Sequence, residues 1–233
     1  MLSLTQIKTD EFHMLISPAD SSLKTRNICA LAPIIPVLVV ENTDHARPLA
    51  EALVRGGLPA LEVTLRTPVA LEVIAEMAQV PGGVVGAGTL LTADDVKRAQ
   101  AAGAQFGVSP GATDTLLDAC EDTGIPLLPG AATASEAMRL AERGYDMLKF
   151  FPAEAAGGAA YLKSLGGPLP GIRFCPTGGV SATNAQSYLD LPNVVCAGGS
   201  WIAPAALMAE ERWDEIESRA RAAAALRGSA PPA

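Results

Sequence analysis

Histidine is almost absent from this chain: only His13 and His45 occur, with no cluster of metal-ligating residues around either. That argues against a histidine-rich zinc site, which needs several imidazoles at close spacing. Cysteine is scarce too. Cys29, Cys120, Cys175 and Cys196 form no CxxC pair and no metal-type spacing, so they read as buried thiols in a reducing cytoplasm. No metal is expected. Positive charge is in deficit, with 17 Lys and Arg against 25 Asp and Glu, a net charge of −8 and no basic cluster. Nucleic-acid binding is disfavoured, because phosphate neutralisation requires clustered cations. An anionic ligand must instead be held by backbone amides or by single cationic side chains. Long apolar runs are also missing. The longest, Ile28 to Val40, is broken by Pro33 and Pro36, whereas a membrane-spanning helix needs about twenty apolar residues. The opening MLSLTQIKTDEFHM lacks the apolar core of a signal peptide. No membrane partner is expected.

What is present is apolar and regular. Hydrophobic residues make up 49% of the 233 and charged residues 18%, below the roughly 25% usual for soluble domains. Such a chain can bury a sizeable core and hide further surface in an oligomer. One theme recurs eight times: a short β-rich run, a small or polar turn, then a helical pattern. The runs are Ile34 to Val40, Ala60 to Leu65, Val84 to Leu90, Ala104 to Pro110, Pro126 to Gly130, Met147 to Ala153, Arg173 to Gly179 and Val194 to Trp201. Their centres lie roughly 20 to 26 residues apart, the length of a compact βα unit. Helix starts are signalled by Pro68 after Thr67, by the capping boxes Thr92/Asp95 and Thr133/Glu136, and by Ser181. Helix ends are signalled by Gly57, Gly103, Gly124 and Gly144.

This alternation predicts an α/β fold, a single (β/α)8 TIM barrel with an N-terminal helix; an open doubly wound sheet is the alternative. Residues 1–24 are expected to form the lead-in and helix, 25–226 the barrel and 227–233 a disordered tail.

Strand parity then locates chemistry. In LEVTLR, Glu62, Thr64 and Arg66 share one face and Leu61, Val63 and Leu65 the other. The apolar set should meet the helices, so the polar set points inward, where it is costly unless it lines a site or forms an ion pair. In MLKFFP, Lys149 is opposite in parity to Leu148 and Phe150 and also points inward. Burial disfavours a charged amine, and a neutral amine is what imine formation requires. The bland reading is an ion pair with Glu62. Two glycine turns, Thr177-Gly178-Gly179 and Gly198-Gly199-Ser200, close the seventh and eighth strands. There, amides and a following helix N-terminus suit a phosphate.

These residues carry a family resemblance. GLPALEVTLR (Gly57 to Arg66) and KFFPAEAAG (Lys149 to Gly157) resemble two active-site signatures of the 2-keto-3-deoxy-6-phosphogluconate / 4-hydroxy-2-oxoglutarate aldolase family. GAGTL, VSPG, RFCPTGG and GGSW are similar to family segments in the same order. The resemblance spans about Thr25 to Leu226 and implies a homotrimeric class I aldolase of the Entner–Doudoroff route, with no cofactor. It further implies that Lys149 forms the imine, Glu62 is the general acid/base, and Arg66 and Thr89 hold the pyruvate carboxylate. Phe151 would pack beside pyruvate. Pro110 and Thr177 would lie near the aldehyde half, and Gly178, Gly179, Gly198, Gly199 and Ser200 would bind phosphate.

The implied substrate is a phosphorylated 2-keto acid. Cleavage of 4-hydroxy-2-oxoglutarate and of the phosphogalactonate stereoisomer stay open. Other readings are a metal-dependent aldolase, a phosphosugar isomerase or epimerase, and a non-catalytic phospho-ligand-binding barrel.

Overall fold

The computed structural model describes residues 15–226; His13, the first part of the lead-in and the tail 227–233 lie outside them. Nine strands follow in order: β1 (Ile34–Leu38), β2 (Ala60–Thr64), β3 (Val84–Gly88), β4 (Phe106–Val108), β5 (Leu127–Leu128), β6 (Gly130–Ala131), β7 (Met147–Phe150), β8 (Arg173–Pro176) and β9 (Ala197–Gly199). Each of the eight expected runs contains a strand, the fifth being split. The helices are α1 (Pro18–Cys29), α2 (Ala46–Arg55), α3 (Ala70–Met77), α4 (Ala93–Ala101), α5 (Asp114–Thr123), α6 (Ala134–Arg143), α7 (Gly158–Leu165), α8 (Ala185–Leu189), α9 (Ala205–Ala209) and α10 (Trp213–Ala224).

All strand pairs are parallel. The ladder comes in two pieces, β5-β4-β3-β2-β1-β9 and β6-β7-β8, so the first strand lies beside the last. One break falls at Pro129. Proline has no N–H to give to a ladder, and its carbonyl turns to β7, accepting from Lys149 N at 2.9 Å. Leu127 and Leu128 pair with β4, and Gly130 and Ala131 pair with β7. The other break lies between β8 and β9, where only the isolated bridges Phe174–Val194 and Thr177–Gly198 occur. The sheet is therefore a curled parallel sheet whose continuous ladder is shorter than a closed barrel requires.

The curl separates two apolar regions by parity. Leu61, Val63, Leu148, Phe150 and Phe174 face the helices in the main core, while Ala60, Met147 and Cys175 join a smaller cluster on the concave face. Burying an aliphatic side chain fully is worth about 1.5–3 kcal/mol, and α2 alone contributes Leu49 and Leu53, both 0% exposed. Helix α1 starts with Ser17, whose Oγ accepts from Asp20 N at 3.1 Å, and Pro18 in the first turn. Its buried stripe is polar. Ser21 Oγ accepts from Leu127 N at 2.9 Å and Ser22 Oγ from Asp146 N at 3.0 Å. Those two bonds tie α1 to the segments entering β5 and β7, and they aim Cys29 at the concave cluster.

Local signals held in part. Both capping boxes form, at Thr92/Asp95 and Thr133/Glu136. Gly124 and Gly144 end α5 and α6 in the left-handed conformation. Pro68 does not begin a helix: α3 starts at Ala70, because Thr67 Oγ1 donates to Val40 O at 2.7 Å and leaves a turn ahead of the helix. Ser181 does not cap α8. Its N–H donates to Asn184 Oδ1 at 2.7 Å, forming a turn that delays the helix to Ala185.

Candidate active site

Strands β2 and β7 aim Glu62 and Lys149 across the concave face. Lys149 Nζ meets Glu62 Oε1 at 3.0 Å, and the two residues are 5% and 3% exposed. Glu62 has room because β3 passes it as glycine. A Cβ on Gly88 would stand 2.4 Å from Glu62 Oε1 and 2.7 Å from its Cγ. The Phe151 ring lies past the end of β7, its centroid 5.4 Å from Lys149 Nζ. An amine, a carboxylate and an aromatic face thus converge in one desolvated spot. A carboxylate this close can take the proton that the amine must lose before it attacks a carbonyl.

Arg66 departs from the strand reading. β2 ends at Thr64, and Arg66 sits in the following turn, exposed, with its N–H on Thr64 O at 2.8 Å. Alternation stops where the ladder stops, so the shared face with Glu62 does not extend to residue 66. Among the described residues Arg66 has no ion-pair partner, which leaves its guanidinium available to an anion. Thr64 is buried on the expected face, but its Oγ1 is spent on Leu38 O at 2.8 Å. Thr89, just beyond β3, has a φ of 63°, a left-handed conformation that is strained for a β-branched residue. Flanking bonds hold it: Leu65 N donates to Gly88 O at 2.9 Å and Leu90 N to Val108 O at 3.1 Å.

Pro110 and Phe151 share a cleft of about 340 Å³ at the ends of β4, β6 and β7, with Gly130, Ala131 and Pro152 beside them. Lys149 and Glu62 do not line the cleft; Phe151 lines it and also lies 5.4 Å from Lys149 Nζ. Thr177 is buried beyond β8, its Oγ1 3.9 Å from Cys175 Sγ. Gly178 and Gly179 are both left-handed, with φ of 99° and 77°. The loop is braced by Glu154 N on Gly178 O and by Asn184 Nδ2 on Gly179 O, each at 3.0 Å. The two glycine turns lie side by side, joined by the isolated bridge Thr177–Gly198. The expected helix N-terminus does not adjoin them. α8 and α9 are five residues each and begin at Ala185 and Ala205. Amide donors, rather than a helix dipole, are what these loops offer an anion.

The sequence reading missed one convergence. Cys29, Cys175 and Cys196 lie together on the concave face, their sulfurs within 4.8 Å of one another. Hydrogen bonds to Cys196 and Cys29, with Lys149 nearby, pull the Cys175 thiol well below its usual range. The same contacts, Cys175 foremost, push Cys29 and Cys196 up. No local spacing announces a group drawn from residues so far apart. Asn184 as the brace of the glycine loop was likewise missed, although an Asn three residues after Ser181 is a known turn signal.

A sequence profile of the family described as KDPG and KHG aldolase matches residues 25–219. The 2-dehydro-3-deoxy-phosphogluconate aldolase of Pseudoalteromonas atlantica is 50% identical over 204 residues, covering 87% of this chain and 95% of that one. A crystal structure of the 2-keto-3-deoxy-6-phosphogluconate aldolase of Zymomonas mobilis with 3-phosphoglycerate superposes with a TM-score of 0.85 at 46% identity, covering 91% of this chain and all (100%) of that one. The KDPG aldolase of Legionella pneumophila, with pyruvate captured at low pH as a covalent carbinolamine intermediate, gives 0.84 at 45% identity, covering 86% and 98%.

Proposed function

Because this chain belongs to the family of KDPG and KHG aldolases, we propose that it cleaves 2-keto-3-deoxy-6-phosphogluconate to pyruvate and glyceraldehyde 3-phosphate through a Schiff base on Lys149. The observation that carries this reading is the buried Lys149–Glu62 contact of 3.0 Å. Glu62 accepts a proton from the Lys149 ammonium, and the free amine attacks the keto carbon. Glu62 returns that proton to the carbinolamine hydroxyl, which leaves as water, and a protonated imine remains. The imine draws electrons as a proton leaves the C4 hydroxyl and the C3–C4 bond breaks, releasing the aldehyde. Glu62, through a water, carries that proton and returns one to the enamine carbon. Water then hydrolyses the imine and frees pyruvate. Since the imine is the electron sink, the reading requires neither metal nor cofactor.

The remaining roles follow the two ends of the substrate. Arg66 grips the carboxylate bidentately, with Thr89 beside it. Phe151 packs against the pyruvyl carbons, with Pro110 and Thr177 near the aldehyde half. The amides of Gly178, Gly179 and Ser200, in loops shaped by Gly198 and Gly199, hold the phosphate. 4-Hydroxy-2-oxoglutarate, which lacks the phosphate, is a second, poorer substrate. The phosphogalactonate isomer differs at one hydroxyl, and comparing kcat/KM for the three substrates ranks them. At the level of the fold, the two ladder pieces complete one closed (β/α)8 ring, 25–226, that assembles as a homotrimer.

Borohydride reduction with pyruvate tests the central claim. Wild-type protein gains one pyruvyl adduct on the Lys149 peptide, and Lys149→Ala gains none. An adduct on another lysine, or trapping that persists in the variant, rejects the assignment. An isomerase, a metal-dependent aldolase or a silent binding barrel gives no adduct at all.

A further inference from the structure

Three separate segments deliver Cys29, Cys175 and Cys196 to one point: the last turn of α1, the middle of β8 and the residue before β9. Each is 2% exposed or less. Around them stand Ile35, Phe106, Val108, Leu128 and Met147. Among the described residues no carboxylate or imidazole joins the group. A hard cation would demand oxygen ligands. A structural zinc would demand a fourth donor, which the described residues do not place there. A soft monovalent ion demands neither, since sulfur alone satisfies it. The geometry fits as well. At a metal–sulfur distance of about 2.3 Å, a planar three-sulfur site has edges of about 4.0 Å, inside the 4.8 Å span of this group.

We propose that Cys29, Cys175 and Cys196 form a three-sulfur site for a soft monovalent cation of the copper(I) class, set beneath the Lys149–Glu62 pair. The site stands apart from the aldolase reading and does not rest on it. Its place follows from register: Cys175 is the cross-strand partner of Lys149, and Thr177 lies on the side toward the glycine loop. Loading is a ligand exchange with no redox step. Each thiol that binds the ion gives up its proton, which passes to the released chelator or to water.

The test is competition with a coloured copper(I)–bicinchoninate complex under anaerobic, reducing conditions, using the full chain. The folded wild-type protein is expected to withdraw one copper ion per chain and to show a sulfur-only shell by X-ray absorption. Cys175→Ser and Cys196→Ser each abolish the withdrawal at equal chelator, while Cys120→Ser, a buried thiol elsewhere, leaves it unchanged. The proposal is overturned if the reduced wild-type protein takes no copper, or if a Cys175→Ala/Cys196→Ala double variant withdraws as much as wild type. The wild-type arm stands even where a variant fails to fold.

Discussion

Removing one member of a buried ion pair costs about 3–5 kcal/mol, because the other is left charged and unsolvated. For the pair Lys149–Glu62 that cost must be kept apart from any loss of chemistry. Glu62→Gln keeps the shape and a hydrogen bond to Lys149 while removing the base, and denaturant unfolding of the variant reads the cost of the lost charge separately from its kinetics. A fall in kcat of about 10² to 10⁴ is expected, with pyruvate binding much less affected. Exchange of the pyruvate methyl protons with deuterated water slows in parallel, because enamine formation uses the same proton carrier. Exchange and cleavage near wild-type rates would leave Glu62 as a structural partner of Lys149 only. Both residues were legible in the sequence, since alternation along a strand fixes which face each one takes. Arg66 was not: its direction is set by a turn, and no period operates there. The left-handed Thr89 has no sequence signal, because the residue type argues against the conformation it adopts. The three clustered cysteines depend on tertiary register, which no window of sequence contains.

Elements were legible wherever their ends carry local chemistry. The box at the start of α6 is an example. Glu136 Oε2 accepts from Ala132 N at 2.7 Å and Thr133 N at 2.9 Å, and Thr133 Oγ1 accepts from Glu136 N at 3.3 Å. Thr133→Ala is expected to cost about 1 kcal/mol in denaturant unfolding. The Ala132 amide, with those of Thr133 behind it, holds the Glu136 carboxyl below its ordinary value. A depressed carboxyl contributes stability that is present above its unfolded pKa of about 4.3 and lost as pH falls through the lower folded value. The Tm difference between wild type and Glu136→Gln should therefore shrink on acidification below about pH 4; a constant difference from neutral to acid pH would contradict it. The glycine loop after β8 was legible as a turn, but its bracing by Glu154 and Asn184 was not, because those bonds run between elements. Gly179→Ala forces a Cβ to 2.6 Å from Glu154 Cγ at a left-handed φ. It is expected to raise KM for the phosphorylated substrate much more than for 4-hydroxy-2-oxoglutarate. An equal rise for both would place the phosphate elsewhere.

For the whole molecule, the eight-fold strand–helix repeat was readable because each unit is compact and local. The continuity of the sheet was not, since it depends on how Pro129 divides its run between two neighbours and on the sparse bridging of β8 to β9. Low charge combines with exposed Leu23, Leu31, Leu91 and Met138, apolar surface suited to burial against further copies. Sedimentation equilibrium is expected to return a mass about three times 23.9 kDa, in line with the proposed trimer; a monomer at assay concentration would refute it. The narrow fit of β3 against Glu62 reaches beyond catalysis. Gly88 has ordinary strand geometry and contributes no functional atom, yet alanine there would push the carboxylate off Lys149. In a library randomised at position 88 and selected for growth on the pathway's sugar acid, glycine alone should survive. Mutational tolerance would then mark an empty space as strictly as it marks the nucleophile.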